Sequence, residues 1–438
     1  MKLPEKPINW KETFEKESKQ IFQIIHQKDL FKQIFEFNKQ YLYWSELKYR
    51  VEEEADRKYI WTFMKILRSE KYEKLKIDSI QLIYSLITHF SKKLHNFDKL
   101  LAGNIAIQSR TLGLRKEYMV SSLMEEAIAS SIIEGASTTR KVAKSMLREK
   151  RKPKTKSEKM IVNNFEAMQY IVSIKDKKLT SETMLEIQKI VTKDTLDDAG
   201  DEGRFRDNND TVVGHSNFPE IIAHIPPDYK EIPHLIEEIC NFANNESEEF
   251  IHPIIKGIIL HFLIGYIHPF NDGNGRSARS IFYWYMLSQG YWLFEYMSVS
   301  RRIVHSRNEY DLAYLYTEYD EMDLTYFIKY NIQCIDESLN DLMEYIKKKQ
   351  MEQEEIKKII HDVPGLNLRH TMILEEFIRN PTKIFTIKEI SETFKVVYQT
   401  ARTDLLLLVS KGFISQKISG RTFVFILNEE SPSFSLVK

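Results

Sequence analysis

Two apolar stretches meet at His268-Pro269-Phe270-Asn271-Asp272-Gly273-Asn274-Gly275-Arg276-Ser277-Ala278-Arg279. Upstream, Ile254 to Ile267 is apolar except at Lys256, Gly257, His261 and Gly265, which reads as a buried helix. Downstream, Ile281, Phe282, Trp284, Tyr285 and Leu287 continue a helical pattern. Pro269, Gly273 and Gly275 break helices. The run is therefore a loop between two core helices, and the second helix is expected to begin near Asn274 to Arg276.

That placement has chemical consequences. The first turn of a helix offers free backbone N–H groups and the positive end of the dipole, so it holds anions. Gly273 and Gly275 let phosphate oxygens approach the backbone. Arg276 and Arg279 are three apart, on one helix face, and each offers a fork of donors to phosphate. Asp272 stands at the loop mouth, and one carboxylate plus phosphate oxygens is a usual way to hold Mg²⁺. His268 suits a general base acting on a protein hydroxyl near neutral pH. A bare Asn-Asp-Gly-Asn-Gly is often only a turn; it is the full set of residues that points to handling a nucleoside triphosphate.

The run resembles, residue for residue, the signature of the Fic family, H-x-F-x-[DE]-G-N-G-R-x-x-R, with every fixed position present. The resemblance implies a mainly α fold: a Fic helical core with a small β-hairpin flap. It implies transfer of AMP from ATP to Ser, Thr or Tyr hydroxyls of proteins, the chain itself included, with release of pyrophosphate. In that reading His268 is the base and Asp272 holds Mg²⁺. Gly273, Asn274, Gly275, Arg276 and Arg279 bind ATP, and Phe270 anchors the loop in the core. Gly275 stands where the phosphotransferase branch carries Lys, which favours AMP transfer. Ser130-Ser131-Ile132-Ile133-Glu134-Gly135 resembles the family's inhibitory motif, [ST]-x-x-x-E-[GN], at Ser130, Glu134 and Gly135. Pairing of Glu134 with Arg279 would withhold that arginine from the γ-phosphate. Gly203-Arg204-Phe205-Arg206, Thr211-Val212-Val213-Gly214 and His224-Ile225-Pro226-Pro227 fall where the family has its target-binding flap, with Val212 and Val213 on it and Ser216 to Pro219 as an insertion at the tip. Tyr310 falls where relatives have a tyrosine near adenine. De-adenylylation, another nucleotidyl or phosphoryl transfer, and a nucleotide-responsive DNA-binding regulator stay open beside this reading.

The 438 residues are enough for about three domains. With 63 basic and 63 acidic residues the formal charge is zero, so charge gives no argument for nucleic acid or acidic lipid as a general partner. Cys240 and Cys334 lie far apart in apolar patterns and read as reduced core residues of a cytoplasmic protein. There is no long uncharged apolar run for a membrane, and Met1 to Lys6 is not followed by a signal-type apolar segment. The order expected along the chain is a helical N-terminal domain over 1–105 and an inhibitory helix and lead-in over 106–160. A Fic core over 161–340 follows, then a linker helix over 341–366 and a module over 367–438. Tyr41-Leu42-Tyr43-Trp44 reads as core, and Lys141 to Lys159 as a solvated basic loop. The tail, with a helix from Tyr398 to Leu406 and a wing around Gly420-Arg421, resembles a winged helix-turn-helix. If it reads DNA, Gln399, Thr400, Arg402 and Thr403 face the groove with Arg421 on the wing; the few basic residues along it fit a protein partner equally. A homodimer is the expected assembly.

Overall fold

The computed structural model describes residues 3–25, 28–102, 116–215, 218–245, 249–361, 364–379, 384–419 and 422–428. The chain forms two compact units, 1–342 and 343–438. The fold is mainly helical, with three small antiparallel sheets among the described residues. No described helix is long and apolar enough to cross a membrane.

The first unit begins with α1 (Trp10–Ile25), α2 (Lys28–Gln40), α3 (Trp44–Leu47) and α4 (Glu54–Ser69). Tyr41, Leu42, Tyr43 and Trp44 are buried together with Ile34, Ile60, Trp61, Met64 and Tyr326, so the aromatic run is core. One departure from the helical expectation follows: β1 (Glu73–Ile77) and β2 (Ile80–Tyr84) form a hairpin. Its residues alternate apolar and polar around a turn at Asp78, whose φ of 49° is left-handed, and a period of two selects a strand over a helix. Ile83 then bonds to Met322 and Leu324, which docks the hairpin on the loop before the last helix of the unit.

Next come α5 (Thr88–Leu101), α6 (Lys116–Ile133), α7 (Arg140–Glu149), α8 (Lys156–Ser173) and α9 (Ser181–Thr192). The basic stretch 141–159 is thus mostly helical rather than a loop. Ala143, Met146 and Leu147 bury one face of α7 against Met124, Ile128 and Ile161. Arg140 and Lys144 both bond to Glu125 on α6, and Arg151 bonds to Glu158. An i, i+3, i+4 apolar stripe outweighs the charge density because only one face needs to be dry.

The centre of the unit is the packed pair α11 (Pro253–Ile267) and α12 (Asn274–Ser288), with α10 (Ile232–Asn244) against α11 and with α8 and α9 against α12. Every aliphatic residue of α11 is buried, which is why its sequence carries no amphipathic stripe. The flap strands β3 (Val213–His215) and β4 (Phe218–His224) precede α10, with an irregular register. Then follow α13 (Val299–His305), α14 (Arg307–Tyr319) and α15 (Thr325–His361), which runs into the second unit.

The second unit contains α16 (Leu368–Arg379), β5 (Phe385–Thr386), α17 (Ile387–Phe394), α18 (Tyr398–Ser410), β6 (Ile414–Ser419) and β7 (Thr422–Leu427). The sheet order is β5-β7-β6. Ile373, Phe377, Phe385, Ile390, Leu405, Leu408 and Phe425 form its own core. Ser216, Gly420 and Arg421, singled out from the sequence, lie outside the described residues.

Candidate active site

The loop between α11 and α12 is built by its own side chains. α11 ends at His268, whose φ of 50° and ψ of 58° turn the chain sharply. The Asn274 side chain closes the loop: its Oδ1 accepts from the Phe270 amide at 2.9 Å and its Nδ2 donates to the Phe270 carbonyl at 2.7 Å. Asn274 is therefore spent on shaping the loop, and it can offer an anion only its backbone. Gly273, at φ 83°, adopts a conformation that a side chain would strain, and a Cβ there would meet Thr192 Cγ2 at 2.7 Å. Phe270 is fully buried and stacks on Phe205 at 5.4 Å.

His268 donates from Nδ1 to the Gly265 carbonyl at 3.1 Å. A carbonyl only accepts, so Nδ1 carries the proton and Nε2 keeps a lone pair. Burial pushes the imidazole pKa down to about 4, against a smaller lift from the Gly265 bond. Nε2 is thus ready to take a proton at any pH near neutrality. The Asp272 carboxylate is half exposed at the mouth; it accepts from the Gly273 amide at 2.5 Å and lies 3.6 Å from Arg276. Among the described residues no three His, Cys, Asp or Glu side chains converge as a metal cage. A single carboxylate beside free helix-terminal amides suits a cation that is shared with a polyphosphate.

Arg276 is buried and donates to the Val191 carbonyl. Arg279 is also buried: Nε donates to Ser130 Oγ at 2.9 Å, and Nη2 donates to the Ser130 carbonyl and to Glu134 Oε1, each at 2.9 Å. Among the described residues Arg279 Nη1 finds no hydrogen-bond partner. Burial works against ionisation of Glu134, but Arg279, Arg307 and Arg276 outweigh it and hold the carboxyl below the usual range. Gly135 ends this segment at φ 87°. A Cβ on Gly275 would collide with the Glu134 carboxylate, so that carboxylate lies directly on the glycine-rich backbone at the start of α12.

The two flap residues are placed at the start of the hairpin. Val212 is exposed, and Val213 pairs with His224 across the strands. Tyr310 is enclosed, with its hydroxyl 2.9 Å from His261 Nε2.

Three further residues hold this site: Arg206 belongs to the Gly203-Arg204-Phe205-Arg206 stretch of the flap region, whereas Gln188 and Arg307 carry no local signal in the sequence. Arg206 donates through its backbone amide to the Pro269 carbonyl, through Nε to the His268 carbonyl at 3.0 Å, and through Nη2 to the Pro227 carbonyl. Gln188 on α9 donates to the Asp272 carbonyl at 3.2 Å and accepts from the Gly203 amide. Arg307 on α14 donates to the Ile133 carbonyl at 2.7 Å, gripping the end of α6. These partners lie tens to hundreds of residues from the groups they hold, and only folding brings them together.

Residues 178–286 match the family model described as Fic/DOC family. The chain carries a Fic/DOC domain. That match contains the loop 268–279 and the flap. Curated relatives include the protein adenylyltransferase Fic of Drosophila mojavensis, 31% identical over 127 residues, which are 28% of this chain and 23% of the relative. The protein adenylyltransferase Fic of Culex quinquefasciatus is 28% identical over 177 residues, 40% of this chain and 32% of the relative. The matched stretches thus span less than a third of either relative. Two solved structures share the fold: a Fic family protein from Desulfovibrio desulfuricans (TM-score 0.50, 17% identity, 77% of this chain and 94% of that one) and Fic-1, residues 134–508, from C. elegans (TM-score 0.51, 18% identity, 75% and 88%). Both likenesses reach well beyond the Fic/DOC match, so most of this chain follows the arrangement of Fic-fold proteins.

Proposed function

We propose that this protein is an adenylyltransferase that moves AMP from ATP to a hydroxyl of a protein, itself included. The observation that carries the reading is His268, with Nε2 free and unprotonated, beside the amide-rich start of α12 and the Asp272 carboxylate. In the step, the target oxygen attacks the α-phosphorus as its proton passes to His268 Nε2. The bond from the α-phosphorus to the bridging oxygen breaks, and pyrophosphate leaves. The amides at the start of α12 stabilise charge on the phosphate oxygens, a task for which a helix N-terminus is suited. Arg276 and Arg279 serve the β- and γ-phosphates. Asp272 would hold Mg²⁺, which would supply charge neutralisation. β3 and β4 present a target segment by strand pairing.

Glu134 blocks this arrangement. It occupies Arg279 and lies on the backbone at Gly275, where a phosphate would need to approach. The test is intact mass after incubation of the Glu134→Gly protein with ATP and Mg²⁺. A gain of one AMP, absent when His268→Ala is added, is expected; no gain in any nucleotide of a panel would overturn the reading.

For the second unit we propose a winged helix-turn-helix that contacts DNA through α18. Its first turns expose Tyr398, Gln399, Arg402 and Thr403, with Lys388, Lys395 and Lys417 exposed on neighbouring elements. Such a surface combines phosphate contacts with polar groups for base edges.

A further inference from the structure

His224 is the last residue of β4 and pairs with Val213 at the base of the flap. Its side chain is almost enclosed and bridges two other elements. Nε2 lies 2.6 Å from the Tyr266 carbonyl, in the last turn of α11, and Nδ1 lies 2.7 Å from Glu318 Oε2 on α14. The His224 and Tyr266 rings are 4.8 Å apart.

The protons on this bridge can be counted. A carbonyl only accepts, so Nε2 must carry a hydrogen. Nδ1 and the carboxylate oxygen then need one further proton between them. The pair is either an imidazolium against a carboxylate or a neutral imidazole against a carboxylic acid, and both forms hold the same number of protons. If that proton leaves, two lone pairs face each other at 2.7 Å and the contact with Glu318 becomes repulsive. The bridge is therefore closed only while the proton is present.

What it closes matters for chemistry. The turn that receives Nε2–H also contains the Gly265 carbonyl that orients the His268 ring. A donor there is favoured by the negative end of the α11 dipole. The charged or titratable groups around the bridge are Glu318 from α14, Tyr266 and His268 from α11 and its cap, and Arg206, which holds the His268 carbonyl.

We propose that His224 is a positioning residue for group transfer: the proton it shares with Glu318 locks the target-presenting hairpin to the helix turn that carries His268. The inference rests on the AMP-transfer reading. Nucleotide binding uses α12 and stays outside the lock. Placement of the target hydroxyl against Nε2 of His268 depends on it.

The test uses the full chain in the Glu134→Gly background. His224→Gln keeps a neutral donor and removes the shared proton, and His224→Arg supplies a permanent cation. ATP·Mg²⁺ binding is measured by calorimetry, and the initial rate of self-modification by intact mass. His224→Gln is expected to bind ATP like the parent but transfer roughly tenfold or more slowly, the scale of loss when a reacting group is misplaced. His224→Arg is expected to recover part of the rate. Parent-like rate in His224→Gln would overturn the lock, as would joint loss of ATP binding and transfer, which marks a merely structural contact. If the Glu134→Gly parent itself moves no AMP, the transfer reading fails separately. The lock is then read from amide hydrogen exchange at Val213 and at Ile221 to His224. Faster exchange in His224→Gln supports it; equal exchange overturns it.

Discussion

At the scale of single residues, the site is a contest over Arg279. Its donors are taken by Ser130 and Glu134, and its remaining Nη1 is buried and finds no partner among the described residues. A buried arginine with an unmet donor favours a further anionic partner. Replacing Glu134 by Gly is expected to raise self-modification by at least an order of magnitude, roughly the worth of a buried charge-assisted contact. Intact mass checks this, and equal labelling of parent and variant would overturn the proposed inhibitory role of Glu134. In the proposed reaction His268 sets the acid side of the profile. Because burial lowers its pKa to about 4, transfer is expected to stay level from neutral pH down to about pH 5 and to fall as pH drops through that pKa. An acid limb near the ordinary histidine value would contradict this.

At the scale of elements, α6 is useful only if its end is held in place. Lys116 to Ile133 ends in carbonyls that need partners, and Arg307 supplies one from α14 at the Ile133 carbonyl. Arg307 also lowers the Glu134 pKa from nearby. Arg307→Met is therefore expected to raise self-modification several-fold toward the Glu134→Gly level, as about 1 kcal/mol of lost anchoring implies. The double variant is expected to show no additional gain. A drop in rate with unchanged Glu134 behaviour would instead make Arg307 a nucleotide ligand. The hairpin 73–84 gives the complementary lesson about elements. Its alternation is visible in Leu75, Ile77, Ile80 and Leu82, but helical neighbours on both sides mask a pattern only five residues long per strand.

At the scale of the whole molecule, two buried histidines link folding to pH. Burial lowers His268 to about 4 and His261 to about 3, while the unfolded chain has ordinary histidines. Between about pH 6.5 and about pH 4 the unfolded state binds more protons, so stability falls as pH falls, by up to about 1.4 kcal/mol per pH unit per histidine. Chemical denaturation at a series of pH values is expected to show this slope, reduced by one proton in His268→Ala. For the second unit, a gel shift with mixed-sequence duplex is expected to show binding that weakens with salt and with Arg402→Ala. No shift at low salt would leave α18 to a protein partner.

The placement of the 268–279 loop between two buried helices was legible in the sequence because it is local. A helix stop, two glycines, a carboxylate and two arginines three apart are dictated by spacing along one chain segment. The burial of α11 was legible for the same reason: fourteen residues with hardly a polar position leave no face for water. Glu134 could be picked out only through its likeness to a known motif, and nothing in the spacing joined it to an arginine 145 residues away. The tertiary structure alone decided that Asn274 closes the loop, that Arg206 and Gln188 hold its carbonyls, and that His224 meets both Glu318 and Tyr266. Those contacts join distant segments through single hydrogen bonds, and a periodic pattern records which face is buried but not which partner waits there.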